Sequence, residues 1–185
     1  MNVSDAIKER RAYRSLKKFD VDDALIRDLA GHACLSPSCF NKQPWRYVFV
    51  TDPDVLSELF GFLSRGNEWA SAASMIIAVF SEKNNDCVIK EREYYLFDTG
   101  MSVAFIILRA TELGLVAHPI AGYKPEGVKK LLNIPDEMNL ITLIIVGKHD
   151  DKPSSLMSEK QVESEKKRPP RLELDRYCYI NTFKA

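Results

Sequence analysis

Three short segments hold the side chains best suited to chemistry. The first is Arg10-Arg11-Ala12-Tyr13-Arg14, in a stretch where Lys8, Arg10, Arg11, Arg14, Lys17 and Lys18 are set against one acid, Glu9. Such a cluster reads either as a solvated basic patch or as a phosphate clamp, because guanidinium groups grip phosphate oxygens bidentately and stay charged when partly buried. Late in the chain Lys160, Lys166, Lys167, Arg168 and Arg171 crowd together, and the two clusters could converge on one anion. The second segment, Pro37-Ser38-Cys39-Phe40-Asn41-Lys42-Gln43-Pro44-Trp45, is either a plain turn or a polar loop whose amides and hydroxyls meet the edge of a heterocycle. The third, Pro119-Ile120-Ala121-Gly122-Tyr123, is either an ordinary turn after a strand or a place where backbone approaches a flat ligand closely.

Composition removes several alternatives. With 185 residues, 45% hydrophobic and 28% charged, the chain suits one ordinary domain with at most a small appendage. Twenty-six basic residues balance twenty-six acidic ones, so net charge gives no steering toward nucleic acid or a membrane. No apolar leader and no long uncharged run are present, which predicts a cytoplasmic protein without a membrane span. Cys34, Cys39, Cys87 and Cys178 form no Cys-x-x-Cys pair and are expected as reduced, mostly buried thiols. The spacings of His32, His118 and His149 match no metal-ligand pattern, so no metal is expected. There is no GxGxxG after a strand and no GxSxG, and no side chain stands out as a general acid or base.

The elements that must position these segments follow from periodicity and punctuation. Ser4 is placed to cap a first helix carrying Val3, Ala6 and Ile7, and Asp22 a second carrying Leu25, Ile26, Leu29 and Ala33. Trp45 to Val50 reads as a strand, and Asp52-Pro53 opens a helix through Phe60. Met75–Phe80 and Leu140–Gly147 read as buried strands, Leu115–Ile120 as extended, and Pro125–Leu132 as a short helix. Glu91 to Leu113 reads as a helix ended by Gly114, and its run Met101–Leu108 is apolar on nearly every side, which predicts a central, surrounded helix. Irregularly spaced strands among more numerous helices favour an α+β sandwich over a βαβ repeat. After Asp150 the chain turns polar and charged, yet Leu172, Leu174, Tyr177, Tyr179, Ile180 and Phe183 follow. This pattern predicts an extended arm that docks its end.

Taken in order, the segments resemble the nitroreductase family of FMN-dependent oxidoreductases. RRAYRSLKKFD is similar to the family's R-R-S-x-R arm, and SPSCFNKQPWRYVFV to its P-S-x-x-N-x-Q-P-W approach to a strand. The central helix ending in Glu112-Leu113-Gly114-Leu115, then Pro119–Gly122, Leu132–Pro135 and a strand ending at Gly147 complete a match over about residues 4 to 150. A looser match covers Lys166 to Pro170. The resemblance implies a sandwich with a central, mostly antiparallel sheet flanked by helices over residues 1–150. Residues 151–185 would then be an extended C-terminal arm on the domain or on a partner subunit.

It also implies a homodimer with FMN at the interface, NADH or NADPH as electron donor, and a small-molecule acceptor. The phosphate would fall to Arg10, Arg11, Ala12 and Arg14, with Lys166 and Arg168 as late contributors. Arg14 would also act as an electrostatic stabiliser near the flavin. Pro37, Ser38, Cys39 and Asn41 would reach the flavin from the other subunit, Asn67 would bond its pyrimidine edge, and Ala121 and Gly122 would line the side toward N5. The chain departs from the family pattern where Ala12 replaces a serine, where Ala104-Phe105 replaces Gln-Asn, and where Cys39 and Phe40 are bulky. Two other readings stay open. One is a specialised flavin-cleaving or reductively dehalogenating relative, whose lid would sit at Asn84–Tyr95. The other is a non-catalytic module binding nucleic acid through the basic arm, with Tyr13, Phe40 and Trp45 as stacking surfaces.

Overall fold

The computed structural model describes residues 1–183. In chain order its elements are α1 (Val3–Glu9), β1 (Leu16–Lys17), α2 (Asp23–Cys34), β2 (Arg46–Val50), α3 (Pro53–Phe60), β3 (Met75–Ser81), β4 (Val88–Ile89), β5 (Arg92–Glu93), α4 (Tyr95–Glu112), β6 (Leu115–Ile120), α5 (Pro125–Leu131), β7 (Asn139–His149) and α6 (Glu159–Lys166).

Every strand pairing is antiparallel. The long strand β7 has β3 along one edge (Met75 opposite Val146) and β6 along the other (Leu115 opposite Lys148), and β2 lies outside β3. Lys148 also pairs with Lys17, so β1 continues along the β3 edge of β7 where β3 has ended. Strands β3 and β7 are buried on both faces, which is why they read as unbroken apolar runs rather than as alternation. Ile76, Ala78, Phe80, Leu143 and Ile145 point to the side of α3, α5 and Trp69. Met75, Ile77, Val79, Ile144 and Val146 point to the side of α2 and α4. The result is a helix–sheet–helix sandwich, the α+β class expected.

Local signals decide most boundaries. Asp22 accepts from the Leu25 N–H at 2.8 Å and caps α2. Asp52 Oδ1 accepts from the Asp54 and Val55 N–H groups at 2.9 and 3.0 Å and caps α3, with Pro53 in the first turn. Asp52→Ala is expected to cost about 1 kcal/mol of stability. Urea unfolding would read this loss, and an unchanged midpoint would contradict the cap. Gly114 ends α4 at φ +72°, a conformation glycine tolerates.

Three expectations need correction. Asn2, not Ser4, caps α1, because its Oδ1 accepts from the Asp5 N–H at 2.9 Å. Helix α4 begins at Tyr95 rather than Glu91, since residues 88–93 form the β4–β5 hairpin, which turns through Lys90 at φ +59°. And α4 is not surrounded: Asp98, Thr99, Ser102, Ile106 and Ala110 are buried along one face, whereas Phe97 (62% exposed) and Phe105 face outward.

The region after Asp150 is partly a helix. The Ser158 hydroxyl and the Gln161 side chain form a reciprocal capping box at the start of α6. Gln161 Nε2 donates to the Gly66 carbonyl at 2.7 Å, anchoring α6 on the domain. Beyond it Leu172, Leu174, Tyr177, Ile180 and Phe183 are exposed. Lys184 and Ala185 lie outside the described residues. No helix among the described residues is long and apolar enough to cross a membrane.

Candidate functional site

The basic arm leaves α1 at Arg10 and runs extended into β1, so its side chains fan out beside the sheet instead of stacking on a helix. Helix α6 lies along it. The Glu165 carboxylate accepts from the Arg14 and Ser15 backbone N–H groups and from the Ser15 hydroxyl, closing the arm onto the helix. Arg11 Nη2 donates to the Glu165 carbonyl at 2.9 Å, and Arg168 Nη2 donates to the Lys8 and Arg10 carbonyls. The two ends of the chain therefore meet.

Between them is a cavity of about 280 Å³ lined by Arg10, Arg11, Ala12, Tyr13, Arg14, Ser164, Glu165, Arg168, Pro169 and Arg171. Five guanidinium groups face one carboxylate, and none of the five forms an ion pair among the described residues. Burial, followed by the like charges of Arg168, Arg171 and Arg11, lowers the Arg10 pKa. An anion in the cavity would relieve that crowding, and a phosphate offers the oxygens that several forked donors can share.

The floor of this region is aromatic. Arg14 Cζ lies 5.9 Å from the centroid of the Trp69 ring, and Trp69, fully buried, stacks on His118 with centroids 4.8 Å apart. His118 Nδ1–H donates to the Tyr13 carbonyl at 3.0 Å, tying β6 to the arm. Burial first, then the charges of Arg14 and Arg10, push the His118 pKa from an ordinary 6.5 down to about 4. Its folded value is the depressed one, so the stability it contributes is present above pH 6.5 and is lost as pH falls toward 4. Histidine NMR should find this imidazole still neutral at pH 5.5, and His118→Gln should flatten the acid limb of the stability curve. A normal titration midpoint near 6.5 would contradict the assignment.

Beside Trp69, Asn67 Nδ2 donates to the Gly122 carbonyl at 2.9 Å, and the Ser64 N–H donates to the same oxygen. A Cβ at Gly122 would stand 2.6 Å from Asn67 Nδ2, so any larger residue would push the Asn67 amide out of this bond. Ala121 precedes it, exposed, on the rim of a separate cavity with Tyr123.

Not every expected residue joins this group. Lys166 is exposed, its ammonium bonded to Glu163 at 2.8 Å, and it does not line the arginine cavity; Arg171 does. Glu165, which holds the arm to α6, carries no local signal, because its partners are 150 positions away. Pro37, Ser38, Cys39 and Asn41 stand apart from the cavity, in a turn pinned by the Cys39 N–H donating to Asp98 at 2.7 Å and the Gln43 N–H donating to Ser38 Oγ at 3.0 Å. Phe40, Asn41 and Gln43 all have positive φ, between 49° and 56°, an uncommon concentration of left-handed non-glycine residues. The thiol expectation is also overturned: Cys39 and Cys87 form a disulfide, and Cys34 and Cys178 are free but exposed. The fold closes a 48-residue gap that sequence spacing does not reveal.

The sandwich and its arm define the class: the chain belongs to the nitroreductase family, whose sequence model matches residues 7–68 and 60–148. It is similar to the NADH dehydrogenase of Thermus thermophilus, 24% identical over 178 residues that cover 80% of this chain and 86% of that protein. Among solved structures, a nitroreductase family protein from Clostridium difficile 630 matches 99% of this chain and 100% of its own at 20% identity and TM-score 0.80. An oxidoreductase containing FMN matches 100% of this chain and 94% of its own at 24% identity and TM-score 0.85.

Proposed function

We propose that the chain is an FMN-dependent oxidoreductase of the cytoplasm that passes reducing equivalents from NADH or NADPH to a small electrophilic acceptor, such as a nitroaromatic or a quinone, in ping-pong order. When bound, FMN supplies the hydride-accepting and hydride-donating centre that no side chain provides. One observation carries this reading: arginines from both ends of the chain, none of them in an ion pair among the described residues, converge on a single cavity. The FMN in the similar oxidoreductase and the nicotinamide in the name of the Thermus relative point the same way.

In this reading Arg10, Arg11, Arg14 and Arg168 hold the phosphate, and the Arg14 charge favours negative charge on a ring docked beside it. Asn67 and Gly122 offer an amide edge and a close backbone approach. The Pro37–Asn41 turn, outside the cavity of its own chain, serves the partner's site in a homodimer. The outward apolar side chains of α1 and α4 (Val3, Ile7, Phe97 and Phe105) support such an interface. Residues 1–150 form the cofactor domain. Residues 151–185 are an arm whose α6 lies on its own domain and whose exposed apolar end, from Leu172 on, is suited to the partner. The two-residue strands of β4–β5 leave little lid at Asn84–Tyr95, which favours a general reductase over a flavin-cleaving or dehalogenating relative.

The test is steady-state oxidation of each reduced nicotinamide with a nitroaromatic or quinone acceptor, with and without added FMN. Parallel double-reciprocal lines that depend on FMN are expected. Absence of any flavin-dependent turnover would overturn the proposal.

A further inference from the structure

The Cys39–Cys87 bridge lies outside the arginine cavity of its own chain. The proposed function sets the Cys39 turn beside the partner's flavin but gives the two sulfurs no chemical step. Its two sulfurs are unequally placed. Cys39 is half-buried in the strained turn, while Cys87 is 8% exposed. A carboxylate oxygen of Asp86 and both sulfurs lie within 4.8 Å of one another. Asp86 is 4% exposed, and its Oδ1 accepts from the Cys87 N–H at 2.7 Å. Its Oδ2 is buried with no hydrogen-bond partner among the described residues. Burial first, and then the neighbouring Asp98 carboxyl on α4, raise the Asp86 pKa against the opposing Cys87 N–H bond and the charge of Lys42, so this group keeps its proton to higher pH than a solvated aspartate. A buried carboxyl this close to a buried sulfur is placed to give it a proton.

We propose that Cys39–Cys87 is a thiol–disulfide exchange site for low-molecular-weight thiols, in which Cys39 is the sulfur attacked and Asp86 protonates the departing Cys87. A small thiolate forms a bond to Cys39 Sγ as the bridge breaks, and the electron pair leaves on Cys87 Sγ. Cys87 takes the Asp86 proton, and Asp86 is reprotonated from solvent. A second small thiolate attacks the small-molecule sulfur of the mixed disulfide and releases Cys39, which takes a proton from water. In sum, two small thiols are oxidised by two electrons to their disulfide, and the bridge is reduced to two thiols. Reduction frees the Ser38–Lys42 turn from the β4–β5 hairpin. Air or an excess of the small disulfide reverses it, and partial reaction leaves Cys39 reversibly thiolated.

The test uses the whole protein, titrated with glutathione, quenched by alkylation and read peptide by peptide in a mass spectrometer; it needs no flavin. Before glutathione, Cys34 and Cys178 should be alkylated while Cys39 and Cys87 are not. After it, both bridge cysteines should label, and Cys87→Ser, given glutathione disulfide, should exchange one glutathione onto the Cys39 thiol and release the other. Asp86→Asn, which keeps an acceptor for the Cys87 N–H, should slow reduction about tenfold in mild acid, with the two rates converging as pH rises. The proposal is overturned if Cys39 and Cys87 label like Cys34 in the untreated protein. A bridge that resists excess glutathione, or glutathione found on Cys87 instead of Cys39 in the partly reduced parent protein, overturns it as well. The readouts use no flavin, so failure of this proposal and failure of the flavin assignment are told apart.

Discussion

Replacing Arg10 by alanine should weaken FMN binding about 100-fold, because a hydrogen bond to a charged group contributes about 1.5–3 kcal/mol and each 1.4 kcal/mol is tenfold in affinity. Burial, and then the like charges of Arg168, Arg171 and Arg11, lower the Arg10 pKa. Removing Arg10 relieves repulsion among the remaining guanidinium groups, so affinity should fall without loss of fold. The Arg10 carbonyl that receives Arg168 remains in place. Arg10→Lys keeps the charge but loses the fork and should fall between the two. Fluorescence titration of the flavin-free protein would measure all three. Equal affinity of Arg10→Ala and the parent protein would show that the phosphate goes elsewhere.

Trp69→Ala should have the largest effect on stability, about 3–5 kcal/mol, the usual cost of truncating a buried indole. Trp69 is fully buried, belongs to the core on the α3–α5 side of the sheet, and carries His118 on its face and Arg14 over its ring. Its loss opens a cavity and removes the platform beneath the arm, so flavin affinity should fall as well. Trp69→Phe refills most of that volume and should recover most of the stability. Urea unfolding checks this, and a loss below about 1 kcal/mol would place Trp69 outside the core.

The parts of the molecule legible in the sequence are those whose physics is local. Met75–Phe80 and Leu140–Gly147 announce themselves because strands covered on both faces need apolar residues throughout. Asp22, Asp52-Pro53 and Gly114 mark helix ends through bonds and dihedral angles that involve only neighbours. The Arg10–Arg14 arm is visible as charge, and Gly122 as a small residue at a strand end.

What stays hidden depends on distant partners. Glu165 joins the arm only because α6 folds back across the chain, and Cys39 finds Cys87 across a span with no local signature. The outward face of α4 misleads for a related reason. Phe97 and Phe105 look like core residues in a sequence, because an apolar side chain carries no mark of which side of its helix faces the sheet. Lys166 and Arg171 are alike as charges, and only the end of α6 decides which one turns toward the cavity.

The central claim is that the arginines of the two chain termini grip a flavin by its phosphate. Parallel titrations of the flavin-free protein with FMN and with riboflavin, which lacks that phosphate, at low and high salt test it most directly. FMN should bind about 1,000-fold more tightly than riboflavin, and added salt should erode the FMN affinity alone. Equal, salt-insensitive affinities for the two flavins would contradict the account.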